Sequence, residues 1–338
     1  MDISILDYAQ MDEGESATQA LQHTVRLAQL AERLGYKRFW MAEHHNVPAF
    51  ASSSPALIAL QVASQTQHIR IGSGGVMLPH YSPLQVAENF RVLEAYYPGR
   101  VDLGMGNNPG TTLVRNAMQD PTPQKQSYLD KMATLQNYLQ TDQTDRLEET
   151  GVSANPVVSE SPEMWMLSTS VQHAIDCAKM GMSYCYGLFP YAREDGIEVG
   201  REAVAAYQKH FKPSASQQEP RTMAAIFVSV AKNQALANGM SRALDWWLLG
   251  QDDFSYFKRF PSIETGESYV YTPEQEEQAQ RNRTRMAHGT IEEVKAQLTA
   301  LVDTMKVDEL LLMPLMPGID RRIEALELLA EAFHLGEH

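Results

Sequence analysis

The chain is poor in cysteine, poor in basic charge and free of long apolar runs, and each shortage excludes a class of protein. Its two cysteines, Cys177 and Cys185, lie outside any Cys-x-x-Cys motif. Two cysteines cannot build a disulfide framework. Without a visible secretory signal they read as reduced thiols of a cytoplasmic protein, although pairing with each other stays open. The start, Met1-Asp2-Ile3-Ser4, has neither a basic n-region nor an apolar h-region. Lys and Arg number 28 against 42 Asp and Glu, a formal charge of -14. A surface of that sign repels a phosphate backbone, so nucleic acid is not an expected partner. No apolar stretch approaches the roughly 18 residues of a membrane helix, so no membrane span is expected. Internal repeats and low-complexity tracts are also missing.

What remains is an ordinary globular composition, 43% hydrophobic and 21% charged over 338 residues. Short apolar runs alternate with segments of helical period. Strands are expected at 3–8, 38–44, 69–78, 101–105, 164–167, 183–189, 223–231 and 309–315. Helices are expected between them, at 18–34, 55–67, 82–97, 124–139, through 178, 195–211 and 234–249, then 291–302 and 319–333. Ser54-Pro55 and Ser82-Pro83 mark two helix starts, and Gly35 and Pro98-Gly99 mark two ends. Eight strands each followed by a helix fit one α/β domain over residues 1–338, a (β/α)8 TIM barrel. The polar stretch 140–162 reads as a loop or small excursion. Residues 250–288 are polar, aromatic and weakly patterned, and read as a mobile lid or insertion before the last strand.

In such a barrel, chemistry collects where the strands end. The second strand, Arg38-Phe39-Trp40-Met41, runs into Ala42-Glu43-His44-His45-Asn46. Three readings compete for this cluster. A metal site needs ligands that converge, and adjacent strand residues diverge. Both histidines can instead be rim residues without chemistry. The preferred reading is a histidine acting on a substrate proton, because its ordinary pKa lies near working pH. The third strand carries Gly72-Ser73-Gly74-Gly75, which signals a bulge, close approach by a ligand, or a crowded interior. Gly104-x-Gly106-x-x-x-Gly110 is one residue too long for a dinucleotide fingerprint and is interrupted by Pro109. Ser168-Thr169-Ser170 before a helix suits an anion, though simple capping explains one hydroxyl.

Several segments together resemble the bacterial luciferase-like flavin-dependent monooxygenases and oxidoreductases, in their single-chain form. These are Leu34-Gly35-Tyr36-x-x-Phe39-Trp40-x-Ala42-Glu43-His44-His45-Asn46, Ile71-Gly72-Ser73-Gly74-Gly75-Val76-Met77-Leu78-Pro79 and Pro83-Leu84-x-Val86-Ala87-Glu88-x-Phe90. Leu93-Glu94-x-x-x-Pro98-Gly99-Arg100-Val101-Asp102-Leu103-Gly104-x-Gly106 continues the match, which is dense to about residue 112 and scattered beyond. The resemblance implies reduced FMN supplied by a separate reductase, O2 and a small organic substrate, with deazaflavin F420 and hydride transfer as the alternative. A third reading is a non-catalytic flavin binder. His44 matches the active-site histidine, with Glu43, His45 and Asn46 shaping the rim. Gly74 and Gly75 match a non-proline cis peptide under the flavin ring. Ser168, Thr169 and Ser170 match the phosphate-binding junction, Val171 adds to that cofactor site, and His173 falls where relatives often have a serine, as a residue that could itself reach the phosphate. Asn107 stands where many relatives carry a phosphate-binding arginine, leaving Arg115, Arg281 to Arg285 or His173 as substitutes. The resemblance also implies a homodimer, for which helices 55–67 and 82–97 are candidates, and no metal.

Overall fold

The structure is a computed structural model that describes residues 1–118, 126–140, 142, 151–190, 193–250 and 256–336. Residues 124–125 of the expected fourth helix, 141 and 143–150 of the polar stretch, and 251–255 of the expected lid lie outside the described residues.

Strand order follows from which segments can be buried on both faces. β1 (Asp2–Asp7), β2 (Arg38–Met41), β3 (Arg70–Met77), β4 (Val101–Gly106), β5 (Glu163–Ser168), β6 (Ser183–Leu188) and β7 (Thr222–Ala231) pair in sequence, all parallel. Among the described residues, β8 (Ala287–Thr290) pairs with the end of β7 alone. β9 (Glu309–Pro314) pairs with both β7 and β1 and closes the ring. The eight expected strands are therefore the eight staves of a closed barrel. β8 is an extra strand outside it, which no apolar run announces.

The helices are α1 (Ala17–Leu34), α2 (Pro55–Ser64), α3 (Pro83–Tyr96), α4 (Thr112–Met118), α5 (Tyr128–Tyr138), α6 (Val171–Met180), α7 (Gly196–His210), α8 (Gln234–Leu249), α9 (Ile263–Ser268), α10 (Pro273–Arg283), α11 (Ile291–Met305) and α12 (Ile319–Ala332). The stretch 250–288 was expected to be irregular, but its described part holds α9 and α10. α10 is polar on nearly every side, so no apolar period marks it. A capping box does, Thr272 with Gln275. Cys177 and Cys185 are both buried and unpaired. No helix among the described residues is long and apolar enough to cross a membrane.

Alternation along the strands divides the core in two. Ile3, Ile5, Phe39, Met41, Leu103 and Leu312 face outward into the helices. Leu6, Trp40, Trp165, Phe227, Leu311 and Met313 fill the interior. The lower interior is closed by charge. Arg38, fully buried, donates from Nη1 to Asp102 Oδ2 (2.9 Å), from Nε to Glu309 Oε1 (2.8 Å) and from Nη2 to Glu309 Oε2 (3.1 Å). Trp40 Nε1 and Arg70 Nε also donate to Asp102, at 2.8 and 2.9 Å. The guanidinium lies over the Trp165 ring at 4.9 Å. Burial opposes its charge, but Asp102, Glu309 and Glu163 outweigh burial and raise its pKa.

Removing one member of a buried ion network strands the others. Arg38→Met should therefore lower unfolding free energy by about 3–5 kcal/mol in urea titrations. A loss below about 1 kcal/mol would mean that the network adds little beyond packing.

Candidate functional site

His44 and His45 follow the end of β2 and do not converge. The His44 backbone N–H donates to Ser52 O (2.8 Å), folding the β2–α2 loop back over the rim. Its ring packs against Tyr8, 4.7 Å between centroids, and Phe50, 5.4 Å. Tyr8 and Phe50 belong to the cluster that fills the upper barrel with Phe227, Trp247 and Met313. His45 instead places Nε2 2.7 Å from Glu43 Oε1. Among the described residues no group of three or more His, Cys, Asp or Glu is arranged to hold a metal.

Although His44 is partly exposed, burial pushes its imidazole down to about 4, with His45 lowering it further and Glu43 opposing. The sequence suggested a histidine titrating near working pH. The aromatic wall makes it a neutral imidazole there, able to donate or accept a hydrogen bond without carrying charge.

Glu43 is buried and accepts three hydrogen bonds. His45 and the Tyr81 hydroxyl (2.5 Å) bond to Oε1, and the Met77 N–H (2.9 Å) bonds to Oε2. Asn46 is exposed and left-handed, with φ 57°, so it serves the turn. Tyr81 and Phe50 were not legible as site residues, because their partners are distant in sequence.

The Gly74–Gly75 peptide is cis, and the register of β3 against β4 shifts between Ser73 and Val76, so two residues face one. A Cβ on Gly74 would stand 2.7 Å from Leu6 Cδ1, and one on Gly75 2.8 Å from the Gly104 carbonyl. The crowded interior therefore demands both glycines. Apart from Arg70 at its start, β3 is accessible only at these two residues. The strand thus shows bare peptide at the mouth.

At the β5–α6 junction, Ser170 caps α6 by accepting the His173 N–H (3.4 Å). Ser168 Oγ accepts the Ser170 N–H and lies 3.1 Å from His173 Nδ1. Val171 is half-buried and packs on the outer core. The first-turn N–H groups and the positive helix end suit an anion. Tyr128 packs on His173 at 6.0 Å, a neighbour with no sequence signal. Thr169 and Asn107 are half-exposed on the same rim. Arg281 is paired with Glu277 and Glu194, and Arg283 with Asp245. Arg115 on α4 is exposed, and among the described residues its side chain reaches Thr112 Oγ1, at 3.2 Å. The junction therefore holds hydroxyls, N–H groups and one imidazole, while the arginines raised as substitutes are engaged elsewhere or exposed.

The fold is a (β/α)8 barrel, and these residues form a candidate site on the rim at the C-terminal ends of its strands. The sequence profile of the luciferase-like monooxygenases matches residues 1–306. An N-acetyl-S-alkylcysteine monooxygenase of Bacillus subtilis (strain 168) is 35% identical over 336 residues, 98% of this chain and 97% of that one. The crystal structure of apo-MsnO8 superposes with TM-score 0.87 at 30% identity, covering 100% of this chain and 99% of that chain. Two more distant structures share the fold. The oxygenating constituent of 3,6-diketocamphane monooxygenase of Pseudomonas putida in complex with FMN has TM-score 0.67 at 14% identity, covering 98% and 97%. An F420-dependent secondary alcohol dehydrogenase has TM-score 0.67 at 12%, covering 98% of each chain. The chain belongs to the luciferase-like monooxygenase family.

The lowered His44 pKa fixes a pH dependence. The folded protein prefers neutral His44, so this contribution is complete above the ordinary pKa of about 6.5 and is lost as pH falls toward 4. His44→Gln should flatten the fall in stability between those limits, measured by urea unfolding. Parallel wild-type and variant curves would contradict the assignment.

Proposed function

We propose that the protein is an FMN-dependent monooxygenase that uses reduced flavin from a separate reductase and O2 to oxygenate a small, largely apolar organic molecule. The observation that carries this reading is the accessible Gly74–Gly75 backbone beside the His44 rim. Accessible peptide without side chains offers a flat ring a bare surface to lie against. The Ser168–His173 junction offers the donors that a flavin phosphate needs, with neutral Asn107 beside them. The residues present thus fit the cofactor. Reduced flavin, when bound, supplies the two electrons for O2 activation. One oxygen atom goes to the substrate and the other to water.

The chain's own residues do the rest. His44, neutral at working pH, holds a proton at the mouth for donation or acceptance. Tyr8, Phe50, Phe227 and Trp247 keep water from the reacting region. Residues 250–288 act as the lid, completing that exclusion. The name of the Bacillus relative makes thioethers the first substrate class to test. A homodimer through α2 and α3 fits the exposure of Leu57 (70%) and Tyr96 (67%). Two buried free thiols are in keeping with the cytoplasm.

Titrating the protein with FMN, riboflavin and F420, oxidised and chemically reduced, tests the cofactor. FMN should bind more tightly than riboflavin and F420. His173→Ala should weaken FMN about tenfold, roughly 1.4 kcal/mol, and leave riboflavin unchanged. Tighter binding of F420 than of FMN would overturn the reading in favour of hydride transfer.

A further inference from the structure

The two histidines after β2 are neighbours in sequence but occupy different environments. His44 sits between Tyr8 and Phe50 in the aromatic mouth. His45 is held by Glu43, a carboxylate that belongs to neither histidine's own turn of loop alone. Its other donors come from the exit of β3, the N–H of its last residue Met77 and the Tyr81 hydroxyl past the 3-10 turn Leu78–His80. Further bonds secure that turn. Lys131 Nζ on α5 donates to the carbonyls of Pro79 and Tyr81, each at 2.9 Å. His80 Nε2 lies 2.9 Å from Pro109 O in the β4–α4 loop. The exit of β2 is therefore strapped to the exit of β3, and that exit to β4 and α5.

We propose that Glu43 is a positioning residue: with His45 and Tyr81 it fixes His44 against the aromatic mouth, in register with the Gly74–Gly75 backbone. The inference rests on the flavin-site reading only for what His44 faces, not for how it is held. Three donors converge on one carboxylate, so its chemistry is demanding. An amide of the same shape offers one acceptor oxygen, and its NH2 group would confront a donor. Register between β2 and β3 is set by the ladder as far as Met41 and Ser73. Beyond that pair, Glu43 supplies the cross-link between the two exits.

The groups facing His44 are Tyr8 from the β1 exit, Phe50 and the Ser52 carbonyl from the β2–α2 loop, and Glu43 and His45 beside it. Histidine-selective NMR of the cofactor-free protein reads the ring directly. In the wild type, the His44 ring protons should show large ring-current shifts and contacts to the Tyr8 and Phe50 rings. Glu43→Gln should lose both and lower kcat about a hundredfold, the scale of an ångström-sized misplacement, with little change in the KM for substrate. Glu43→Asp should recover part of each. If Glu43→Gln fails to fold, His45→Gln and Tyr81→Phe combined decide the matter, and should give a smaller loss of the same two signals.

Unchanged His44 shifts and unchanged kcat in the folded variants would overturn the proposal. So would a kcat loss that the NMR signals do not accompany. If the wild type shows the expected NMR contacts but binds no FMN, the flavin reading fails while the positioning role stands.

Discussion

The buried guanidinium of Arg38 is the constraint on which the barrel turns. It joins β2 to Asp102 on β4 and Glu309 on β9, and Asp102 in turn holds Trp40 and Arg70. A charge in that position is tolerable only with its carboxylates around it. The lower interior is thereby fixed in one arrangement of strands. A ring closed below leaves the upper rim free to carry groups that satisfy chemistry instead of packing.

The upper rim uses a second buried carboxylate differently. Arg38 and its partners tie strands by ion pairs inside the ladder, whereas Glu43 ties strand exits beyond it. Between the two carboxylate centres lies an apolar interior of Leu6, Trp40, Trp165, Phe227 and Leu311. The glycines of β3 pass through this interior because Leu6, Trp40 and Gly104 leave no room for Cβ atoms. Packing below and accessible peptide above thus arise from the same two residues.

Much of this was legible beforehand. Strands such as Arg38–Met41 and Thr222–Ala231 are buried on both faces, and continuous apolar runs report that directly. His44 and Ser168–Ser170 fall at strand ends and Gly74–Gly75 inside β3, where glycine is unusual, so position alone marked them as candidates. Contacts between distant residues could not be found in this way. Arg38 meets Glu309 across 271 residues, and Glu43 meets Tyr81 across 38. β8 escaped notice because Ala-His-Gly-Thr has no apolar run, and α10 because its faces are nearly all polar, leaving the Thr272–Gln275 capping box as its one signal. The titration of His44 was misjudged for a related reason: its pKa depends on Tyr8 and Phe50, which the loop brings to it.

The central claim is oxygen insertion supported by reduced flavin at this rim. It is tested most directly by a single turnover of the protein loaded with reduced FMN, mixed with isotopically heavy O2 and a thioether substrate. One labelled oxygen atom is expected in the product, and that label is lost when His44 is replaced by alanine. Labelled oxygen found only in hydrogen peroxide and water, across a panel of thioethers and other small apolar substrates, would contradict the claim.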